Sequence, residues 1–255
     1  MWYNATGASI MQSSALEQYY QVIEQEYGAK AARGLRFYLE RYLFPGISLE
    51  GKRFLDIGGG TGTYSFYAAC RGAKEVVCLE PEAAGSSEGM IETFQRRAQL
   101  LRVEQATLLP IAFQEYQSNQ PFDVLFCHNA INHLNEEATI HLHRSVEAQK
   151  TYVEMFQKMY HLCSPGGYLI IADASRHSLY SLLRVRSPIT PTIEWHKHQP
   201  PQVWSRLLNQ VGFKQVALRW RSPAPLGLLG QLLIGNGLVN FFLWSHFCLT
   251  MQKVG

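Results

Sequence analysis

Residues 53–64 read Arg-Phe-Leu-Asp-Ile-Gly-Gly-Gly-Thr-Gly-Thr-Tyr, an apolar segment that runs into four glycines. The first five residues have the composition of a short buried strand, and residues 64–71 predict a helix. Glycine between them lets the backbone turn sharply and leaves room for a ligand against the main chain. The segment therefore predicts a strand, a ligand-binding loop over residues 58–62 (the glycine loop) and a helix.

Apolar and amphipathic segments alternate along the rest of the chain. Further strands are predicted at residues 75–80, 107–113, 122–127, 168–172, 213–220 and 247–252. Further helices are predicted at residues 13–43, 88–101, 147–162 and 203–211. Strands and helices in this alternation indicate βαβ units with right-handed crossovers. The predicted fold class is α/β, a Rossmann-like and mostly parallel seven-stranded sheet with helices on both faces.

The chain is predicted to be a single compact unit, because no linker or internal repeat divides it. Residues 1–48 are predicted as an N-terminal helical cap, and residues 49–255 as the main domain. Residues 174–200 form a long irregular connection, which is uncommon unless it serves as a lid or binding segment. We therefore interpret residues 174–200 as a substrate lid and residues 222–246 as an apolar insertion.

Composition excludes several classes of protein. The 255 residues are 47% hydrophobic and 17% charged, as in an ordinary globular protein. A formal net charge of +3 without a dense basic face argues against a nucleic-acid partner. The five cysteines are scattered, which favours reduced thiols and a cytoplasmic location over a disulfide framework. The N-terminal residues do not have the pattern of a signal peptide.

One stretch departs from this picture, because residues 222–252 contain no Asp, Glu, Lys or Arg. Its length would suffice for a membrane span of roughly 20 residues. Prolines, glycines and amide side chains interrupt it, so we predict a loop, a short helix and a buried strand instead. Contact with a membrane surface, a cover over an apolar acceptor and a dimer contact stay open as alternatives.

The spacing of the glycine loop is D-x-G-x-G-x-G, from Asp56 to Gly62. The dinucleotide fingerprint G-x-G-x-x-G does not fit this spacing. The run instead resembles the first motif of the class I S-adenosylmethionine-dependent methyltransferases, although a glycine-rich turn of another α/β fold is the alternative. The resemblance implies S-adenosylmethionine as the cofactor, its amino-acid end held by the loop and the preceding acid: Asp56, Gly58, Gly59, Gly60 and Gly62.

A carboxylate follows the second predicted strand. Glu80 lies about twenty residues beyond the loop, where an acid can accept hydrogen bonds from both ribose hydroxyls. The resemblance assigns this role to Glu80, with Pro81 beside it.

The resemblance extends to the ends of the third and fourth predicted strands and covers residues 50–175, with a looser match at 200–220. It implies that Gln114 or Glu115 binds the adenine amine, with Phe113 or Tyr116 stacking on the ring. An exposed loop is the alternative there. Residues 127–129, which include His128 and Asn129, are expected to close over the methionine part of the cofactor.

Histidines are the candidate bases for methyl transfer to a hydroxyl, since its proton must leave. His133 lies where the resembling family often has a histidine beside the active site; helix capping or packing is the alternative. In the lid, His198 or Glu194 could take a proton. A metal is the rival explanation for the histidine pairs 141/143 and 196/198. No Cys or paired carboxylate lies at ligand spacing, so no metal site is predicted.

These observations predict an S-adenosylmethionine-dependent methyltransferase that acts on an oxygen or nitrogen of a small molecule. Residues 222–246 add a hint that the acceptor is apolar. The alternatives are a nicotinamide-dependent oxidoreductase of the Rossmann type and a non-catalytic cofactor-binding regulator. The sequence does not determine the oligomeric state.

Overall fold

The computed structural model describes residues 5–82, 88–222 and 227–254. Its strands are β1 (Arg53–Ile57), β2 (Glu75–Leu79), β3 (Ala106–Leu109), β4 (Phe122–His128), β5 (Cys163–Ala174), β6 (Phe213–Trp220) and β7 (His246–Lys253). They form a seven-stranded sheet in the order β3-β2-β1-β4-β5-β7-β6. β7 pairs antiparallel with both β5 and β6, whereas β2 pairs parallel with β1 and β3, and β4 parallel with β5. The predicted Rossmann-like fold class is confirmed.

The chain divides into two compact units, residues 1–117 and 118–255. The first unit holds β1–β3 and the helices α1 (Ala5–Tyr27), α2 (Ala29–Phe37), α3 (Thr63–Cys70) and α4 (Met90–Leu101), with a π-helical turn at Tyr38–Leu43. β1 is buried at every position, including the charged residues Arg53 and Asp56. The domain boundary predicted at residue 48 stays a prediction, and residues 1–4 of the predicted cap lie outside the described residues.

Two predicted elements of the first unit have different bounds in the structure. The single helix predicted at 13–43 is interrupted at Gly28, whose φ of 85° is a left-handed conformation that glycine adopts readily. The strand predicted at 107–113 ends at Leu109 because Pro110 has no N–H to continue the ladder.

The second unit holds β4–β7 and the helices α5 (Glu136–His141), α6 (Val146–Leu162), α7 (Leu179–Leu183), α8 (Pro201–Gln210), α9 (Gly227–Ile234) and α10 (Gly237–Phe242). Short 3₁₀ turns lie at Ile131–His133 and Trp195–Lys197. Asn135, Ser145 and Asn236 begin α5, α6 and α10 by accepting a hydrogen bond from a backbone N–H three residues on.

The uncharged stretch 222–252 forms α9, α10 and most of β7. The prediction of a short helix and a buried strand is confirmed, a second short helix is present in addition, and residues 223–226 of the predicted insertion lie outside the described residues. Across the part of the chain that the structure describes, no helix combines the length and the apolar character needed to cross a membrane. β5 also begins earlier than predicted, since residues 163–167 extend the strand that was expected to start at 168.

All five cysteines are free and buried. Burial raises the pKa of Cys70, Cys163 and Cys248 to about 12 in each case. At neutral pH these thiols are therefore protonated and poorly nucleophilic.

Candidate active site

The glycine loop has the backbone conformation that its alternating glycines predict. Gly58, Gly60 and Gly62 have φ values of 69°, 55° and 76°, all in the left-handed region that side chains disfavour. The N–H groups of Gly58 and Gly59 both donate to the carbonyl of Leu79, at 2.8 and 3.1 Å. These bonds fix the loop to the end of β2.

Gly59 is required for a different reason, because there is no room for a side chain at this position. A Cβ at this position would lie 2.4 Å from Cys78 Sγ and 2.8 Å from the Asp56 carboxylate. Both neighbours are buried, so the loop lies directly on the side chains beneath it.

We expect Gly59→Ala to destabilise the fold by about 3 kcal/mol, because overpacking a tight site costs roughly 1–3 kcal/mol and this site is among the tightest. Urea unfolding measures the change. Gly34→Ala in α2 is the matched control, since nothing lies within 4 Å of its added Cβ. A helical glycine replaced by alanine should gain up to about 1 kcal/mol. Equal stability changes in the two variants would contradict the packing shown at Gly59.

Asp56 lies beneath the loop with its side chain 1% exposed. The Ser65 hydroxyl donates to Oδ2 at 2.7 Å. Oδ1 is buried and accepts no hydrogen bond within the described residues. Burial raises the pKa of Asp56 to about 7, and the negative charge of Glu80 adds to this rise although the Ser65 hydrogen bond opposes it. Asp56 Oδ1 can therefore still accept a hydrogen bond, and the pKa of the carboxyl group is close to neutral pH.

This raised pKa predicts a pH-dependent stability. Between about pH 4 and pH 7 the native state keeps a proton on Asp56 that the unfolded chain, with a pKa of about 3.9, has lost. The stability of the wild type relative to Asp56→Asn should therefore fall by about 1.4 kcal/mol per pH unit as pH rises through this window, and level off above it. Urea unfolding of both proteins from pH 4.5 to 8 measures the difference.

The difference between the two proteins isolates Asp56 from the buried histidines, whose lowered pKa values work in the opposite direction and are common to both. A difference that is flat or that rises with pH would show that the Asp56 pKa is not raised in the native state.

Glu80 follows β2 and is 9% exposed. The Gly60 N–H donates to its Oε2 at 2.8 Å, so the carboxylate is joined to the glycine loop. The adjacent Pro81 is exposed. The structure thus brings Glu80, Asp56 and the loop glycines together, as the sequence pattern predicts for a cofactor site.

The predicted adenine-binding segment, residues 113–116, contains both buried and exposed side chains. Phe113 and Tyr116 are buried in the fold, whereas Gln114 and Glu115 are exposed. The two polar residues are therefore the members of this segment that face solvent, and their role stays a prediction.

A buried arginine that the sequence did not single out supports the loop. Arg97 on α4 is 1% exposed. Its Nη1 donates to the Thr61 carbonyl at 3.1 Å and to the Thr61 and Thr63 hydroxyls at 2.8 and 3.0 Å. Its Nη2 donates to Glu26 at 2.6 Å and to the Tyr27 hydroxyl at 2.8 Å. Arg97 therefore connects the glycine loop to α1.

In the second unit, an aspartate and a histidine form a hydrogen-bonded pair. Asp173 lies near the end of β5 with its side chain fully buried, and His198 follows the 3₁₀ turn of the lid with its side chain 12% exposed. His198 Nδ1 is 3.0 Å from Asp173 Oδ1, which also accepts the N–H of Ala174. Because a carboxylate only accepts, neutral His198 carries its proton on Nδ1, and Nε2 is left as a proton acceptor.

Two further histidines lie beside this pair along the sheet. His246 pairs with Ala174 in the β5–β7 ladder, and His128 pairs with Ala172 in the β4–β5 ladder. Burial lowers the pKa of His246 to about 4 and that of His128 to about 3, and Arg221 contributes in both cases. Both rings are therefore neutral at physiological pH. A general base that works near pH 7 needs a pKa close to that pH, and neither ring has one.

The structure places Asn129 at a strained turn after β4. Its φ of 50° lies in the left-handed region, and its N–H donates to the Ala172 carbonyl at 2.8 Å while the residue is exposed. Strain of this kind is often found at functional sites. The predicted roles of His128 and Asn129 in binding the methionine part stay predictions.

The other two candidate bases belong to an exposed charge network. His133 Nδ1 lies 2.6 Å from Glu136 Oε1, and Lys197 Nζ lies 3.1 Å from Glu136 Oε2 and 2.8 Å from Glu194 Oε2. Hydrogen bonding to Lys197 lowers the pKa of Glu194, so its carboxylate holds a proton less readily. The network holds the Trp195–Lys197 turn, which belongs to the predicted lid, against α5.

The histidine pair that suggested a metal is only partly helical. α5 ends at His141, and His143 lies in the turn that follows. Among the residues that the structure describes, no group of His, Cys, Asp and Glu is arranged to hold a metal ion.

Comparison with known proteins identifies the class that this sheet and loop define. A family model described as a methyltransferase domain matches residues 48–207. The match covers more than half of the chain, so the chain belongs to this methyltransferase family, and the resemblance drawn from the motifs is confirmed. No curated protein matches the sequence.

Solved structures share the fold at low identity. An S-adenosylmethionine-dependent methyltransferase from Mesorhizobium loti is 14% identical, with 81% of this chain and 93% of that chain covered and a TM-score of 0.55. The O-MT segment of StiE is 13% identical, with 90% of this chain and 76% of that chain covered and a TM-score of 0.56. The cyclase SpnF is 15% identical, with 89% of this chain and 82% of that chain covered and a TM-score of 0.55. Since a cyclase shares this fold, the fold alone does not determine the reaction.

Proposed function

We propose that this methyltransferase moves a methyl group from S-adenosylmethionine to an oxygen or nitrogen of a small molecule, with His198 as the general base. The observation that carries the proposal is the buried Asp173–His198 pair. A carboxylate that accepts the Nδ1–H of a histidine holds the ring in one tautomer and stabilises the imidazolium that forms when Nε2 takes a proton. Asp173 acts as the positioning residue in this scheme.

The first unit fits the cofactor in three respects. The loop glycines present no side chains, so a ligand can approach the main chain. Glu80 is an anchored carboxylate for the ribose hydroxyls, and Asp56 Oδ1 is an uncommitted acceptor. S-adenosylmethionine, when bound, supplies an activated methyl group, so the chain needs mainly to orient the acceptor, exclude water and remove a proton.

The lid supports an acceptor of small-molecule size. An open cavity of about 470 Å³ is lined by lid residues that include Ser181, Trp195 and His196. A second cavity of about 500 Å³ includes His177, Gln199 and Pro200 in its lining. Sites for small molecules commonly have volumes of about 300–1,000 Å³. His198 lies in the chain between His196 and Gln199, which line one cavity each.

The cytoplasmic location predicted from the cysteines stays a prediction.

Calorimetric titration with S-adenosylmethionine, S-adenosylhomocysteine and NADH tests the proposal, followed by a screen of small acceptors with radiolabelled S-adenosylmethionine. We expect both adenosyl ligands to bind and NADH not to bind. Glu80→Ala should weaken the adenosyl ligands by about 10- to 100-fold, because each hydrogen bond to a charged group contributes about 1.5–3 kcal/mol. Glu50→Ala, an exposed glutamate in the turn before β1, is the control.

Two outcomes would overturn the proposal. Tight binding of NADH without adenosyl binding would point to an oxidoreductase. Adenosyl binding without methyl transfer to any acceptor class would favour a non-catalytic regulator.

A further inference from the structure

Large exposed apolar side chains concentrate on three short segments of the second unit. Exposed fractions reach 71% at Leu182, 72% at Leu229 and 73% at Leu238. We call the set the apolar surface: Leu182, Leu183, Val185, Ile189, Leu229, Leu233, Leu238 and Phe242. Single exposed apolar residues are ordinary, but a concentration of this kind is typical of a surface that contacts a protein, a membrane or a ligand.

The helices present these side chains in an ordered way. Leu229 and Leu233 are four residues apart on α9, and Leu238 and Phe242 are four apart on α10, so each pair shares one face of its helix. α7 packs against α10. The Asn240 side chain donates to the carbonyls of Ile234 and Arg221, at 3.2 and 2.9 Å, and thereby fixes the connection between α9 and α10.

The segments of the chain that carry the apolar surface contain no acidic residue. Residues 174–193 contain no Asp or Glu, and residues 222–252 contain no charged residue. Arg184 and Arg186 are exposed and flank Val185 within the apolar surface. Within the described ranges, neither arginine forms a salt bridge or a side-chain hydrogen bond. The surface therefore combines exposed leucines with two arginines that form no salt bridge in the described part of the chain, and Glu194, which lines the same cavity as both arginines, is paired with Lys197 at 2.8 Å.

We propose that the apolar surface docks on a bilayer that contains anionic phospholipid. The leucines would enter the boundary between headgroups and acyl chains, and Arg184 and Arg186 would meet the lipid phosphates. The helices that carry the surface are five to eight residues long, which suits lying on a bilayer and not crossing it. A second copy docked by a two-fold axis that passes near Val185 would bring the arginines of both copies together, which like-charge repulsion disfavours.

Vesicle flotation of the full chain tests this proposal and reads no methyl transfer, so its failure is distinct from a failure of the proposed function. We expect binding to vesicles of phosphatidylcholine and phosphatidylglycerol in equal parts, with an affinity about 25-fold higher than for phosphatidylcholine alone. That ratio corresponds to about 1 kcal/mol, or about fivefold, for each arginine at an anionic surface. Added salt should reduce it.

Paired variants separate the two contributions. Leu229→Ser with Leu233→Ser should lower binding to both kinds of vesicle by at least about tenfold, since inserted apolar area is lost. Arg184→Gln with Arg186→Gln should remove the preference for phosphatidylglycerol. Leu100→Ser on α4 and Arg33→Gln on α2 replace exposed residues elsewhere and should leave binding unchanged. All the substituted side chains are exposed, and thermal unfolding verifies that each variant is folded.

Absence of vesicle binding by the wild type would overturn the proposal, as would an equal loss in the control variants. Sedimentation velocity measures the oligomeric state of the same proteins. If the wild type does not bind vesicles but forms a dimer, and Leu229→Ser with Leu233→Ser dissociates that dimer, the surface is a contact between copies.

Discussion

Replacing His198 with glutamine is expected to lower kcat by about 10²- to 10⁴-fold, the usual contribution of a positioned general base. The reason is that the Asp173 hydrogen bond engages Nδ1 of His198, so Nε2 is the nitrogen that we propose takes the proton. Affinity for S-adenosylhomocysteine should stay within about twofold, because the variant changes no group proposed to hold the cofactor. Transfer of radiolabelled methyl to an acceptor found by screening measures kcat.

Asp173→Asn provides the companion measurement. An amide can hold the ring through the opposite tautomer and does not stabilise an imidazolium, so kcat should fall by about 10²-fold or more. The double variant should be no slower than His198→Gln alone, since residues that act as a unit are not additive. Nitrogen-15 NMR of the His198 ring reports the tautomer without any acceptor present, and a merely structural aspartate would not control it.

His133→Gln is the control for this pair, because His133 is exposed and bonded to Glu136. We expect its kcat to stay within about threefold of the wild type. A loss at His133 as large as that at His198, or additive losses at His198 and Asp173, would assign the base elsewhere.

The second large effect is expected at Arg97. Arg97→Met should lower the free energy of unfolding by about 3–5 kcal/mol, because it breaks a buried ion pair, removes the donor to two threonine hydroxyls and leaves Glu26 only the exposed Arg96 as a partner. Burial raises the pKa of Glu26, but hydrogen bonds and the charges of Arg97 and Arg96 bring it below its usual value. Urea unfolding measures the loss.

The neighbouring Arg96 is a close control. Its guanidinium also lies 3.0 Å from Glu26, but its side chain is 54% exposed. Arg96→Met should therefore cost no more than about 1 kcal/mol. Since Arg97 holds Thr61 and Thr63, its variant should also weaken S-adenosylhomocysteine by about tenfold, whereas the Arg96 variant should not. Similar behaviour of the two variants would mean that the loop does not depend on Arg97.

Local sequence patterns predicted much of the first unit's site. The glycine spacing after a buried strand requires left-handed backbone at alternate positions, and the loop adopts it at Gly58, Gly60 and Gly62. β1 and β6 have the predicted bounds, because polar or glycine residues flank both. Pro110 and Gly28 are also signals of a break in the element, but the apolar pattern on either side of each predicts one continuous strand or helix.

The remaining features depend on pairs that are distant in the chain. Asp173 and His198 are 25 residues apart, and Arg97 and Glu26 are 71 apart. Periodicity describes which face a residue occupies and not which distant residue it meets. A signal for Asp173 was present, since it is an acid near the end of a buried strand, as Glu80 is next to β2. Nothing in the sequence distinguished the buried Arg97 from the exposed Arg96 beside it.

The five buried thiols are native probes of local unfolding. A thiol reacts with maleimide only as an exposed thiolate, so each cysteine of the native chain is silent until the element around it opens. The rate of labelling at each position then measures the free energy of local opening, in the way that hydrogen exchange does for amides. Cys70 and Cys78 record openings of the first unit, whereas Cys127, Cys163 and Cys248 record those of the second. No engineered label is needed to learn which unit opens first.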